Sequence, residues 1–163
     1  MKKFTKLLFI VFIILIYSCS QKSDKNNNKK IFCYNESSNI TSLDPAYSRS
    51  MSNIWAVNQI FNGLVQLDNK LNIKPCIAHS WKISDDGKKY TFTIRDDVFF
   101  HNDKSIPEGR KVKASDFVYS FNRIINEKTA SPGTWIFQNV KRDNNNKPLF
   151  YAPNDTTFII ELE

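Results

Sequence analysis

The chain has only two histidines, His79 and His101, and three cysteines, Cys19, Cys33 and Cys76, in 163 residues. No CxxC or His-x-Cys cluster occurs, so a tetrahedral zinc site has no ligand set. The nucleophile elbow GxSxG, the HExxH helix motif, the P-loop and any paired-carboxylate motif are missing as well. His101 falls in a Phe-Phe-His corner, which suits a hydrogen-bonded loop anchor. His79 precedes Trp81 at a strand entry, where surface exposure is expected. Together these absences argue against an enzyme and against a bound metal or cofactor. Lysines are scattered among acids, with no arginine-rich stripe and no platform of stacking aromatics, which argues against nucleic-acid binding. The apolar run at residues 7–17 is too short for a membrane-spanning helix, which takes about 20 residues.

That run nevertheless organises the start of the chain. Lys2, Lys3 and Lys6 form a basic region before it, and Ile16, Tyr17, Ser18 and Cys19 follow the pattern of a bacterial lipobox. An aliphatic residue stands three places before the cysteine and a small one directly before it. Tyr17 is bulkier than the pattern usually carries. The expected arrangement is a lipoprotein signal over residues 1–18 and a diacylglycerol-bearing Cys19. The plainer reading is a secretory signal with an incidental cysteine. Several acyl chains on one cysteine give stable membrane attachment. Residues 20–30, SQKSDKNNNKK, hold no apolar side chain and cannot offset their own ordering entropy, so residues 19–30 read as a lipidated flexible tether. Removing Lys2, Lys3 and Lys6 with the signal lowers the formal charge of +7 to a mild +4.

From residue 31 the composition is globular, and the periodicities predict a mixed α+β fold. Residues 31–36 read as a first strand. Asp44 and Pro45 mark a turn, because proline fixes its own φ and biases the residue before it away from helix. A helix is expected over residues 52–62, with Ile54, Val57, Phe61 and Leu64 on one stripe and Gly63 ending it. Residues 64–67 read as a short strand. The stretch from Ile73 onward then carries a hairpin turning at Asp85, Asp86, Gly87 and Lys88. On its second strand Tyr90, Phe92 and Ile94 alternate with Thr91, Thr93 and Arg95, the period of a half-buried strand. A second helix is expected to open near Ala114 and to bury Ala114, Phe117, Val118, Phe121, Ile124 and Ile125. Lys113 is a poor cap, so Ser115 or Asp116 must satisfy the first turn. Strands are expected at residues 135–140, 149–152 and 156–162, with a turn over residues 143–146. Cys33 and Cys76 read as small buried hydrophobes, although an oxidising compartment also permits a disulfide between them.

One ordered set of residues says more than any of these elements. Pro75, Ala78, Trp81, Asp86, Gly87, Ile94, Arg95, Phe100, His101, Ala114 and Asp116 occur in the order and spacing found in the extracellular solute-binding proteins of ABC importers, family 5, which include oligopeptide and dipeptide binders. On these residues the chain resembles that family over nearly all of its length after the signal. The resemblance implies a two-lobed periplasmic-binding-protein-like fold of which residues 31–163 supply an incomplete first lobe, so the sequence reads as an N-terminal fragment. It further implies capture of peptides or similar small solutes outside the cytoplasmic membrane and delivery to ABC permease subunits. Ligands across the family range over peptides, nickel complexes, opines and sugars, held in a cleft that closes by hinge motion. An alternative is a repurposed or relic surface lipoprotein that serves as a receptor or interaction module.

The register from Asp44 and Pro45 to residues 61–64 matches oligopeptide binders without a gap. The resemblance therefore places Arg49, Ser50 and Met51 against the ligand main chain. Some oligopeptide binders carry an acid where Arg49 stands. Arg49 then favours a ligand carboxylate, or it is a solvated loop residue. Trp135 lies near another position that faces ligand in the family, but its own surroundings in the sequence suit a core residue better.

Overall fold

The alternation of Tyr90, Phe92 and Ile94 is realised as the second strand of an antiparallel hairpin. In the computed structural model, which describes residues 33–163, β3 (Ala78–Ile83) pairs with β4 (Lys89–Ile94), and Trp81 lies opposite Phe92. The turn between them closes through a hydrogen bond from the Gly87 N–H to the Ser84 carbonyl at 2.8 Å. Gly87 has a φ of 71°, in the left-handed region where the missing Cβ removes the steric penalty. Strand β4 pairs on its other side with β6 (Thr157–Glu161), and β6 pairs with β5 (Phe150–Asn154), so the sheet runs β3-β4-β6-β5 with every pair antiparallel.

Helix α2 (Ala114–Ile125) lies across this sheet, as its apolar stripe predicts. Its residues Phe117 and Phe121 meet the fully buried Phe158 of β6 at ring-centroid distances of 5.8 and 5.4 Å. Phe121 also stacks on Phe137 at 5.0 Å and meets Phe150 edge-on at 5.8 Å. One aromatic cluster thus joins helix, hairpin and final strand. The helix start is satisfied by Asp116, one of the two residues that had to do so: its carboxylate accepts the Lys113 N–H at 2.8 Å. The same carboxylate takes both arms of the Arg110 guanidinium, at 3.2 and 2.5 Å. Arg110 in turn lies 4.5 Å over the Phe100 ring, which fixes the Phe-Phe-His corner against the helix.

Several expectations need correction. Helix α1 spans Met51–Asn58 and stops well before Gly63, because the N–H groups of Ile60 and Phe61 both turn back to the Val57 carbonyl at 3.0 and 2.9 Å. Of the expected stripe only Val57 and Leu64 are buried, and Phe61 is exposed. The short strand expected at 64–67 is present as β1 (Val65–Leu67), outside the main sheet. It forms a separate two-stranded ribbon with β2 (Ile73–Pro75), closed by Asp68, whose Oδ1 accepts the N–H groups of Lys70 and Asn72 at 2.8 and 2.9 Å. Residues 135–140 form no strand: Thr134–Phe137 is a 3-10 turn held by the Thr134 hydroxyl on the Ile124 carbonyl, and only Val140 bridges to Leu162. Trp135, expected in the core, is 68% exposed on that turn, and Phe137 fills the core place instead.

Residues Glu36–Glu163 form one compact unit. The expected signal over residues 1–18, Cys19 and the tether over residues 19–30 lie outside the described residues, as do Ile31 and Phe32. Residues 33–36 of the expected first strand have no regular structure, and Cys33 is exposed. Cys76 is half-buried against the core and its thiol is free. Among the described residues no helix is long and apolar enough to cross a membrane.

Candidate functional site

Asp44 and Pro45 start the strip that sequence reasoning singled out. Asp44 caps a short 3-10 turn, Pro45–Tyr47, and its Oδ1 accepts the Ala46 N–H at 3.0 Å. Proline at the first position of that turn forfeits no hydrogen bond. Asp44 is also gripped from outside. Both of its oxygens take the guanidinium of Arg123, at 2.8 and 2.5 Å, from the last turn of α2. That bidentate contact holds the Asp44 carboxyl below its usual range, with help from the Ala46 N–H. Two further bonds reach the strip from the segment after α2. The Tyr47 hydroxyl donates to the Thr129 carbonyl at 2.7 Å, and the buried Ser131 hydroxyl donates to the Ala46 carbonyl at 2.5 Å.

Beyond Tyr47 the chain is more open. The Ser48 hydroxyl is shielded from solvent and has no hydrogen-bond partner. Arg49 is exposed and forms no ion pair among the described residues. Ser50 is the N-cap of α1, and its hydroxyl accepts the Asn53 N–H at 3.3 Å. Met51 begins the helix with 63% of its surface exposed, and Trp55, one turn on, is 55% exposed. Spacing of four residues puts these two side chains on one helix face, so they form an apolar ridge beside the Arg49 cation. The rear of α1 is fixed by polar contacts. Buried Asn53 bonds the Thr41 backbone and hydroxyl, each at 3.0 Å, and buried Ser52 bonds Ser38 at 2.7 Å.

Arg49, Ser50 and Met51 therefore stand together as three exposed consecutive residues, between residues 44–47, which α2 and the turn after it hold, and the Asn53 contacts of α1. The arrangement offers a cation for a carboxylate, a hydroxyl and a flexible apolar surface. Nothing in it resembles a nucleophile with its base. His79 and His101 are both exposed and remote in sequence from the strip; among the described residues His79 bonds only its neighbour Ser80, at 3.1 Å. Sequence reasoning missed Arg123, Thr129 and Ser131. They lie about eighty positions downstream, and no local pattern links them to Asp44. A separate cavity of about 310 Å³ lies between the Phe-Phe-His corner and α2, lined by Ile60, Phe61, Phe99, His101, Phe117 and Ser120 among others.

Residues 72–163 match the bacterial extracellular solute-binding proteins, family 5, middle region. The chain is 39% identical over 95 residues to the periplasmic murein peptide-binding protein MppA of Escherichia coli, an alignment covering 58% of this chain and 16% of that protein. The solved structure of Listeria monocytogenes OppA bound to peptide superposes with a TM-score of 0.70 at 28% identity, over 78% of this chain and 26% of the other. NikZ of Campylobacter jejuni, solved with Ni(L-His), superposes with a TM-score of 0.63 at 30% identity, over 77% and 22%. The chain thus spans between a sixth and about a quarter of the length of these relatives. Its mixed α+β fold is part of one lobe of a two-lobed binding protein, and the residue order at 75–116 lies within the matched residues. The chain belongs to the bacterial extracellular solute-binding proteins of family 5.

Proposed function

We propose that this chain is the N-terminal part of a substrate-binding lipoprotein of an ABC importer. It captures peptides outside the cytoplasmic membrane, with Arg49, Ser50 and Met51 lying along the ligand main chain. The observation that supports this most is the coincidence of two independent facts. The chain belongs to a family with peptide-binding relatives, and it exposes a cation, a capping hydroxyl and an apolar ridge side by side on a strip anchored from behind. A peptide carries a main chain of donors and acceptors, a terminal carboxylate suited to Arg49 and side chains suited to Met51 and Trp55. Diacylglycerol on Cys19 holds the protein at the membrane, facing the periplasm or the exterior, within reach of the permease.

Cleft binding draws polar partners from both sides of a ligand, while the cost of lost translation and rotation, about 4–15 kcal/mol, is paid in full by any binder. Residues 20–163 alone therefore bind short peptides no tighter than about millimolar, near −4 kcal/mol. The intact protein from its own membrane binds a member of a mixed peptide library at about micromolar or better. Calorimetry on both decides. Absence of any peptide binding by the intact protein refutes the reading, and micromolar binding by residues 20–163 refutes its two-lobed form. Mass spectrometry of the mature N-terminus tests the anchor: a diacylglyceryl group on Cys19, lost in Cys19→Ala, is the expected result.

A further inference from the structure

The strip at residues 44–51 has little apolar surface to hold it. Ala46 is the only fully buried side chain in its 3-10 turn, while Leu43 and Tyr47 on either side of that buried point are exposed. A segment of this kind, left to local forces, frays. Yet it is tied by three contacts that all come from one place, the end of α2 and the turn after it: the Arg123 fork on Asp44, the Thr129 carbonyl on the Tyr47 hydroxyl and the Ser131 hydroxyl on the Ala46 carbonyl. Helix α2 is itself locked to the sheet by Phe117 and Phe121. Arg123 stands in its last turn, where a cation is favoured by the helix dipole. The turn beyond is also set: the Thr129 and Ala130 N–H groups bond back to Asn126 and Glu127, and the Ser131 hydroxyl accepts the Gly133 N–H.

We infer that Asp44 and Arg123 form a clamp which transfers the rigidity of α2 to the strip, so that Arg123 is a positioning residue for Arg49, Ser50 and Met51. The assignment of a role in recognition rests on the peptide-binding reading; the clamp itself does not. The carboxylate faces the guanidinium fork and the Ala46 N–H, and Tyr47 and Tyr119 are the other ionisable groups near Arg123. The fork matters because two parallel N–H···O contacts fix direction as well as distance, which a lysine ammonium does not do. Recognition by a pre-placed strip avoids ordering it at the moment of binding, so loosening the clamp weakens affinity without removing a ligand contact.

Hydrogen exchange read by mass spectrometry on the 163-residue chain tests the clamp without any ligand. Arg123→Gln is expected to raise exchange at backbone amides 44–53 by about tenfold while the β4 and β6 amides keep their protection. Arg123→Lys, which keeps the charge but loses the fork, falls between. The double exchange Asp44→Arg with Arg123→Asp keeps the ion pair but loses the Ala46 cap, so it exchanges more slowly than Asp44→Arg alone, a partial rescue that a purely packing role for Arg123 does not give. Exchange within about twofold of the parent overturns the clamp, and so does an equal rise across the sheet, which makes Arg123 a support of the whole fold. In the intact protein Arg123→Gln weakens binding of a library peptide; loosening with unchanged affinity overturns the positioning role. A parent that binds no peptide refutes the functional reading alone and leaves the exchange result standing.

Discussion

The sheet with α2 and the segment around α1 are held together by different forces. In the first, Phe92, Phe117, Phe121, Phe137, Phe150 and Phe158 form one cluster, and the chain excludes water by area. In the second, the buried residues of α1 include Ser52 and Asn53 beside Val57, and the helix exposes Met51 and Trp55. An apolar core is non-directional and tolerates small errors of placement. A hydrogen-bonded backing is directional and sets the outward side chains in fixed positions. The contrast suits a protein in which one region carries stability and the other presents a surface. Substitutions in the two regions should differ in both size and kind.

The largest effect is expected at Phe158, which is fully buried and touches three rings. Phe158→Ala should cost about 3–5 kcal/mol in denaturant melts, from lost transfer energy and the cavity left behind. A loss below about 1 kcal/mol would mean that the aromatic cluster is loosely packed and that the comparison fails on its stable side. Asn53→Ala should cost less, about 1 kcal/mol, because it removes the bonds that buried Asn53 makes to Thr41, which is itself exposed and can turn to water. The sharper signature is locality. Exchange should rise at Thr41 and along α1 while the sheet amides stay protected. Equal loosening of the sheet would join the two regions into one cooperative unit.

How much was legible in the sequence follows the same division. The hairpin turn, strand β4 and helix α2 were readable because a period of two or of 3.6 in apolar residues reports burial directly, and residues 78–125 have both. Helix α1 was readable only in its start. Its end depends on two N–H groups turning back to Val57, and its apolar residues mislead because Phe61 faces outward. The stretch at 135–140 looked like a strand by composition, but the Thr134 hydroxyl on the Ile124 carbonyl commits it to a 3-10 turn, a contact with no local sequence signature. The turn that opens the strip was legible through Asp44 and Pro45. Its backing by Arg123, Thr129 and Ser131 was not, since a pairing across 79 positions leaves no trace in one sequence.

The smallest expected effect on stability is the most telling one. Met51 has 63% of its surface in water, and its removal from the free protein breaks no packing. Met51→Ala should leave denaturant stability within about 0.5 kcal/mol. If a bound peptide covers the ridge that Met51 forms with Trp55, the same substitution removes apolar surface that is buried only in the complex. A partly exposed methionine that becomes covered is worth roughly 1–1.4 kcal/mol, or about fivefold to tenfold in Kd. A flexible thioether loses this gradually across ligands of different shape, so the penalty should vary little from one apolar peptide to another. Calorimetry of the intact protein with two apolar peptides, beside melts of the same variant, reads both quantities. Unchanged affinity with unchanged stability would make Met51 a bystander and shift recognition away from α1. A large stability loss would place Met51 in the supporting half of the comparison, against its exposure.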